Sequence, residues 1–233
     1  MPLITTAIST PFTFILYRHW NGKRASYLLW WTVGVFFYGI GTLTESLTTL
    51  FGWNAIFFKA WYIPGALLGG APLAQGSVYL LFRNERLARR LAVMLVAIIL
   101  CVSMLVLFSP LRTEHAETYR LSGSVLEWQW IRLFTPVINL YAFIFLVGGA
   151  FYSAYKYLKR GKQFHDRFLG NIFIAVGALL PGVGGASAKA GYVEVLYVTE
   201  LIGIILIWIG YHAVAHSESV SIHEKQRLSL QNR

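Results

Sequence analysis

Long uncharged apolar runs alternate along this chain with short clusters of Lys and Arg, a pattern that predicts helices crossing a membrane. Residues 91–108 are the cleanest run, eighteen positions without a charge that start directly after Arg89 and Arg90. A helix rises about 1.5 Å per residue and the hydrocarbon core is about 30 Å thick, so about 20 mostly apolar residues span it. Residues 27–50, 56–82, 133–155, 168–187 and 195–214 are also long enough. Residues 3–17 are short and contain Pro11, so they form either a seventh span or a half-span. The predicted fold is an all-α membrane protein. It is a polytopic bundle of seven transmembrane helices, or six plus an N-terminal half-span. Residues 1–216 form one bundle and 217–233 a short tail.

Composition agrees with the pattern. Of the 233 residues, 56% are apolar and only 13% charged, about half the charge of a soluble chain. The formal charge of +10 would suggest nucleic acid if it formed a stripe on a soluble face. Here the basic residues sit between apolar runs, so nucleic-acid binding is not expected. Fifteen of the twenty Lys and Arg fall in 18–24, 83–90, 156–167 and the tail; Lys59, Arg112, Arg120, Arg132 and Lys189 do not. By the positive-inside rule the fifteen face the cytoplasm, which puts the N-terminus outside and the C-terminus inside a plasma or inner membrane. Trp53, Trp128 and Trp130 then sit at the outer interface and Trp20 at the inner one. The longest outer loop, 109–127, and the tail are too short for a soluble catalytic head. A single cysteine, Cys101, allows no internal disulfide.

Two spans are rich in helix breakers. Span three carries Pro64, Gly65, Gly69, Gly70 and Pro72, and span six carries Gly177, Pro181, Gly182, Gly184 and Gly185. Both contain Gly-Ala-Leu-Leu, 112 positions apart, and Val33-Gly34…Phe37-Tyr38 returns 114 positions later as Val147-Gly148…Phe151-Tyr152. An inverted repeat with paired broken helices would mark a transporter-like binding site. The alternative is that small residues simply allow close packing of membrane helices.

Ionisable residues within spans are costly and are therefore candidates for function. Glu45, Lys59 and Glu200 come from three spans and fall at similar depth in the outer half, Glu45 about 9 Å and Glu200 about 8 Å from their span ends. A Glu45–Lys59 ion pair would lower the cost of both. Glu200 would then be free for a cation, a proton or a polar ligand. Thr42, Thr44, Ser46, Thr48 and Thr49 add hydroxyls that could line a wet cavity. The competing reading is a packing ion pair, or side chains that reach the interface.

His212 and His216 lie four apart at the inner end of span seven, on one helical face, a spacing that can chelate zinc. His19, His165 and Asp166 fall on the same side. In this pair, and in its seven spans, the chain resembles membrane hydrolases of the ceramidase and adiponectin-receptor type, which implies a zinc-dependent lipid hydrolase. Those families also carry a Ser-x-x-x-His in span two and an Asp in span three. Here span two has no His, and the only Asp is Asp166. Histidines at a helix C-terminus also complement its dipole. The layout resembles rhodopsins in span count, but Lys189 precedes span seven and no lysine lies midway along it. Sugar transporters of the SWEET type are similar in size, helix count and orientation, though none of their motifs is present.

The expected function is that of a non-enzymatic bundle binding or transporting a small solute, with Glu45, Lys59 and Glu200 lining its cavity. The alternatives are an accessory or anchor subunit of a larger membrane complex and the zinc-dependent hydrolase. The expected partners are the lipid bilayer and either partner subunits or further copies of the chain. No cofactor is indicated by any motif.

Overall fold

The computed structural model describes the backbone of residues 1–82, 84–116 and 121–231, and the side chains as far as residue 217. Arg83, Arg120 and the tail residues Val220, Ile222, Lys225, Arg227, Leu228, Leu230 and Arg233 lie outside the described side chains. The described residues form nine α-helices and no strand: α1 (Pro2–Lys23), α2 (Ser26–Phe51), α3 (Ala55–Trp61), α4 (Ala71–Leu81), α5 (Glu85–Phe108), α6 (Phe134–Ala142), α7 (Gly149–Leu158), α8 (His165–Lys189) and α9 (Val193–Gln231). Wide π turns at Tyr62–Leu67 and Phe143–Gly148 lie between α3 and α4 and between α6 and α7. Five segments are long and apolar enough to cross a membrane: Ser26–Phe51, Glu85–Phe108, Gln129–Leu158, Lys162–Lys189 and Val193–Ser217. With α1 and the interrupted α3–α4 segment they make seven helical segments, those of an integral membrane protein. The short N-terminal run is in fact a continuous helix of 22 residues. Its inward face is polar, with Thr5 and Ser9 buried and Thr6 bonded to Thr42 of α2 at 2.9 Å.

The third segment does break. Pro64 has no N–H to give the helix, and the ladder slips to a wider bond from Leu68 N to Ile63 O, 3.1 Å. The chain turns at Leu68–Gly70 and restarts as α4 with Pro72 in its first turn, where a missing N–H costs nothing. The gap is filled by α2: a Cβ on Gly41 would lie 3.0 Å from the Cα of Gly65.

The second expected break, at 177–185, is absent. The helix α8 runs unbroken through Pro181. Only the carbonyl of Gly177 loses its partner, and it faces α9, 2.7 Å from where a Cβ on Gly203 would lie. The inverted repeat loses its matched pair as well, because span three breaks where span six does not. The π turn of the fifth segment likewise has no counterpart in α2.

What Gly177 builds is a seam. Gly170, Gly177 and Gly184 are seven apart on α8, Gly203 and Gly210 seven apart on α9, and residues seven apart share a helical face. The helices run antiparallel, with Gly170 against Gly210, Gly177 against Gly203 and Gly184 against Leu196. A Cβ on Gly177 would meet the carbonyl oxygen of Gly203 at 2.6 Å, and one on Gly170 that of Gly210 at 2.8 Å. At this range Cα–H groups point at the facing carbonyls, the close contact small residues permit in lipid.

Two apolar cores flank these contacts. One gathers Phe12, Leu16, Val35, Leu73, Ile174, Ile204 and Ile207 between α1, α2, α4, α8 and α9. The other gathers Phe58, Tyr62, Leu95, Val102, Val106, Leu126 and Ile131 between α3, α5 and the 109–131 loop. Gln75, fully buried, donates to the carbonyl of Ala88 (3.0 Å) and accepts from Tyr141 (2.5 Å), which packs against both cores.

Candidate functional site

Glu45 and Glu200 meet. Glu45 lies six residues before the end of α2 and is 5% exposed. Glu200, near the start of α9, brings its carboxyl into side-chain contact with that of Glu45. The indole N–H of Trp61 donates to Glu45 Oε1 at 2.9 Å. One oxygen of each carboxyl, Oε2, is buried without a hydrogen-bond partner. Among the described residues neither acid has a basic partner.

Helical phase explains why Lys59 is elsewhere. Lys59 and Trp61 are two residues apart on α3, about 200° around the helix, so the face that turns Trp61 to α2 turns Lys59 to α5. Its ammonium donates to the carbonyl of Leu107 at 2.6 Å. That carbonyl is among the last four of α5, which have no partner within the helix, and a cation there also meets the negative end of the helix dipole. The expected Glu45–Lys59 pair is therefore corrected to Glu45–Glu200. Lys59, with Ile56, Ala60, Ile63, Pro64 and Leu107, lines an open groove of about 430 Å³ on the outside of the break.

Three contacts from α2 hold Glu200 and its helix in place. Tyr38 lies seven residues before Glu45, on the same face, and donates to the backbone carbonyl of Glu200 at 2.9 Å. Thr49 is hydrogen-bonded to Tyr197. With the carboxyl pair these contacts join α2 and α9 through side chains, without close backbone packing. The hydroxyls expected to line a wet cavity bond instead to their own helix: Thr42 to Gly39 O, Thr44 to Gly41 O, Ser46 to Thr42 O, Thr48 to Thr44 O and Thr49 to Glu45 O, at 2.7–3.2 Å. Such back-bonding leaves only lone pairs to offer a ligand. Trp61 and Tyr38 were not among the expected site residues. The signal for Tyr38 was its seven-residue spacing from Glu45, and for Trp61 the need of a buried indole for an acceptor.

The histidines gather at the other end of the bundle. His19 and the hydroxyl of Tyr211 are 2.6 Å apart, and the ring of His212 stands edge-on to Tyr211. Partial burial first, and then the charges of Lys23, His212 and Arg18, lower the pKa of His19. Among the described residues no three His, Cys, Asp or Glu side chains come together as metal ligands. In the loop at the Glu45 end, Arg112 pairs with Glu127, and its hydrogen bond pulls the Glu127 carboxyl below its ordinary range.

Of the broken-helix residues, Pro64 and Gly65 lie at the break beside α2, Pro72 opens α4, and Gly177 and Pro181 belong to the α8–α9 seam. Gly182 has open space where its Cβ would be. The chain matches no protein-family model, no curated protein and no solved structure.

Proposed function

We propose that this chain is a non-enzymatic multi-pass membrane protein that binds and moves a small cationic solute, a proton included, at the Glu45–Glu200 pair. The observation that supports this reading is that Glu45 and Glu200 each bury an Oε2 atom that has no hydrogen-bond partner. Two ionised carboxylates in contact away from water repel strongly. One positive charge between them satisfies both. Lys59 is turned away and bonded elsewhere, and no other described basic side chain reaches the pair. The break at Tyr62–Leu67 lies beside α2 one turn from Glu45.

Orientation follows from the basic residues: the ends carrying 18–24, 83–90 and 156–167 face the cytoplasm, and the carboxyl pair lies in the outer half of a plasma or inner membrane. In a Cys101→Ser background, Gly161→Cys is expected to react with an impermeant thiol reagent only after cells are permeabilised. Labelling of intact cells reverses the orientation.

Function is tested with the purified chain in liposomes that enclose a pH dye or a sodium dye. An imposed proton or sodium gradient is expected to collapse faster than in empty liposomes. Glu200→Gln is expected to slow the flux about tenfold, the effect of ~1.4 kcal/mol on a barrier. Flux equal to that of empty liposomes for both ions and for a small organic ammonium, together with a stoichiometric co-purifying membrane protein, moves the reading to an accessory subunit.

A further inference from the structure

A second charged site stands at the opposite end of the bundle, in the turn from α7 to α8. Gly161, at φ +100°, reverses the chain, and the reversal lays Phe164 against Tyr157 with ring centroids 5.9 Å apart. Two guanidinium groups share these rings. The Arg160 Cζ lies 5.7 Å from the Tyr157 centroid and 5.9 Å from that of Phe164; for Arg167 the distances are 5.7 and 5.8 Å. Arg167 is fixed further by Ser217 of α9, through Nε to Oγ at 3.2 Å and Nη2 to the carbonyl at 3.4 Å.

Ring faces attract cations, but two cations held on one pair of rings repel each other. Among the described residues no carboxylate relieves them. Asp166 is the only acid in 156–167, and among the described residues neither arginine has an ion pair with it. Lys156, Lys159 and Lys162, all exposed, add to the same field. We infer that this turn is a binding site for the phosphate of an anionic phospholipid, clasped between Arg160 and Arg167. Planar guanidinium forks suit phosphate oxygens, and basic pockets between helix ends suit lipid headgroups. The place favours lipid over free phosphate. The site lies at the ends of two helices that form membrane spans, and Leu158 and Leu169 beside it are exposed apolar side chains, a surface for the acyl chains.

The test uses the full chain in phosphatidylcholine nanodiscs with and without phosphatidylglycerol, followed by native mass spectrometry of retained lipid. Phosphatidylglycerol is expected to be retained in preference. Arg160→Gln is expected to lower that preference about fivefold. The Arg160 side chain is exposed and makes no hydrogen bond among the described residues, so the variant keeps its fold; far-UV helicity checks this. Lys159→Gln, which removes a charge that rests on Tyr155 and not on the shared rings, is expected to change the preference less than twofold. Equal losses in the two variants, or none in Arg160→Gln, overturn the built site. Displacement of the lipid by inorganic phosphate, but not by chloride at the same ionic strength, reassigns the site to soluble phosphate and overturns the lipid claim.

Discussion

Gly203→Leu is expected to abolish the folded bundle, and Gly203→Ala to weaken it, whereas Gly182→Ala leaves it unchanged or slightly firmer. The sign is set by what the new atoms meet. At Gly203 even a Cβ would lie 2.7 Å from the carbonyl of Gly177 and 3.2 Å from Pro181 Cδ. Both neighbours are backbone or ring atoms of a rigid helix and cannot swing away. Overpacking of this kind costs about 1–3 kcal/mol for one methyl. An isobutyl group forces α8 and α9 apart along the whole seam, so about 4 kcal/mol or more is expected. At Gly182 nothing lies within 4 Å, and replacing a mid-helix glycine gains about 0.5–1 kcal/mol. Thermal unfolding in mild detergent, followed by circular dichroism and by the monodisperse fraction on size exclusion, reads all three. Equal effects at Gly203 and Gly182 would mean that α8 and α9 do not pack through this seam.

This contrast also shows what could be read from the chain before its fold. Spans are legible because one run of about 20 apolar residues decides each of them locally. Phase is harder. Glu45, Lys59 and Glu200 do fall near one end of the bundle, as counting from span ends implies, but counting depth says nothing about direction around a helix. Two residues of offset between Lys59 and Trp61 send one to α5 and the other to Glu45. Taken singly, the Pro and Gly residues of span six predict a break. Their seven-residue spacing carried the better signal, since a repeat of seven marks a face and not a kink. Pro181 is tolerated because the neighbouring helix, with a glycine opposite, accommodates the carbonyl that it frees. The contact between two acids could not be read at all. Sequence reasoning pairs opposite charges and has no rule that brings like charges together.

That contact leads to the prediction with the largest consequence for function. A ligand bound only by the folded protein stabilises it by RT ln(1 + [L]/Kd), about 2.7 kcal/mol at a hundredfold excess over Kd. If a cation completes the Glu45–Glu200 pair, the unfolding midpoint of the wild-type chain is expected to climb with the concentration of that cation. Glu45→Gln is expected to remove the response without unfolding the protein. The amide keeps an oxygen for the indole of Trp61 and brings an N–H donor to the carboxyl of Glu200, so the variant carries its own partner where the wild type needs an external one. In the absence of added cation it is expected to be as stable as the wild type or about 1 kcal/mol more so. Glu45→Leu offers neither atom, strands the Trp61 N–H, and is expected to cost about 1–3 kcal/mol. Lys59→Met, whose ammonium serves Leu107, is expected to leave the cation response intact while loosening the end of α5. A wild-type midpoint that ignores sodium, potassium, small organic ammonium ions and pH alike removes the cation from the site. The two carboxyls then share a fixed proton that only joins α2 to α9.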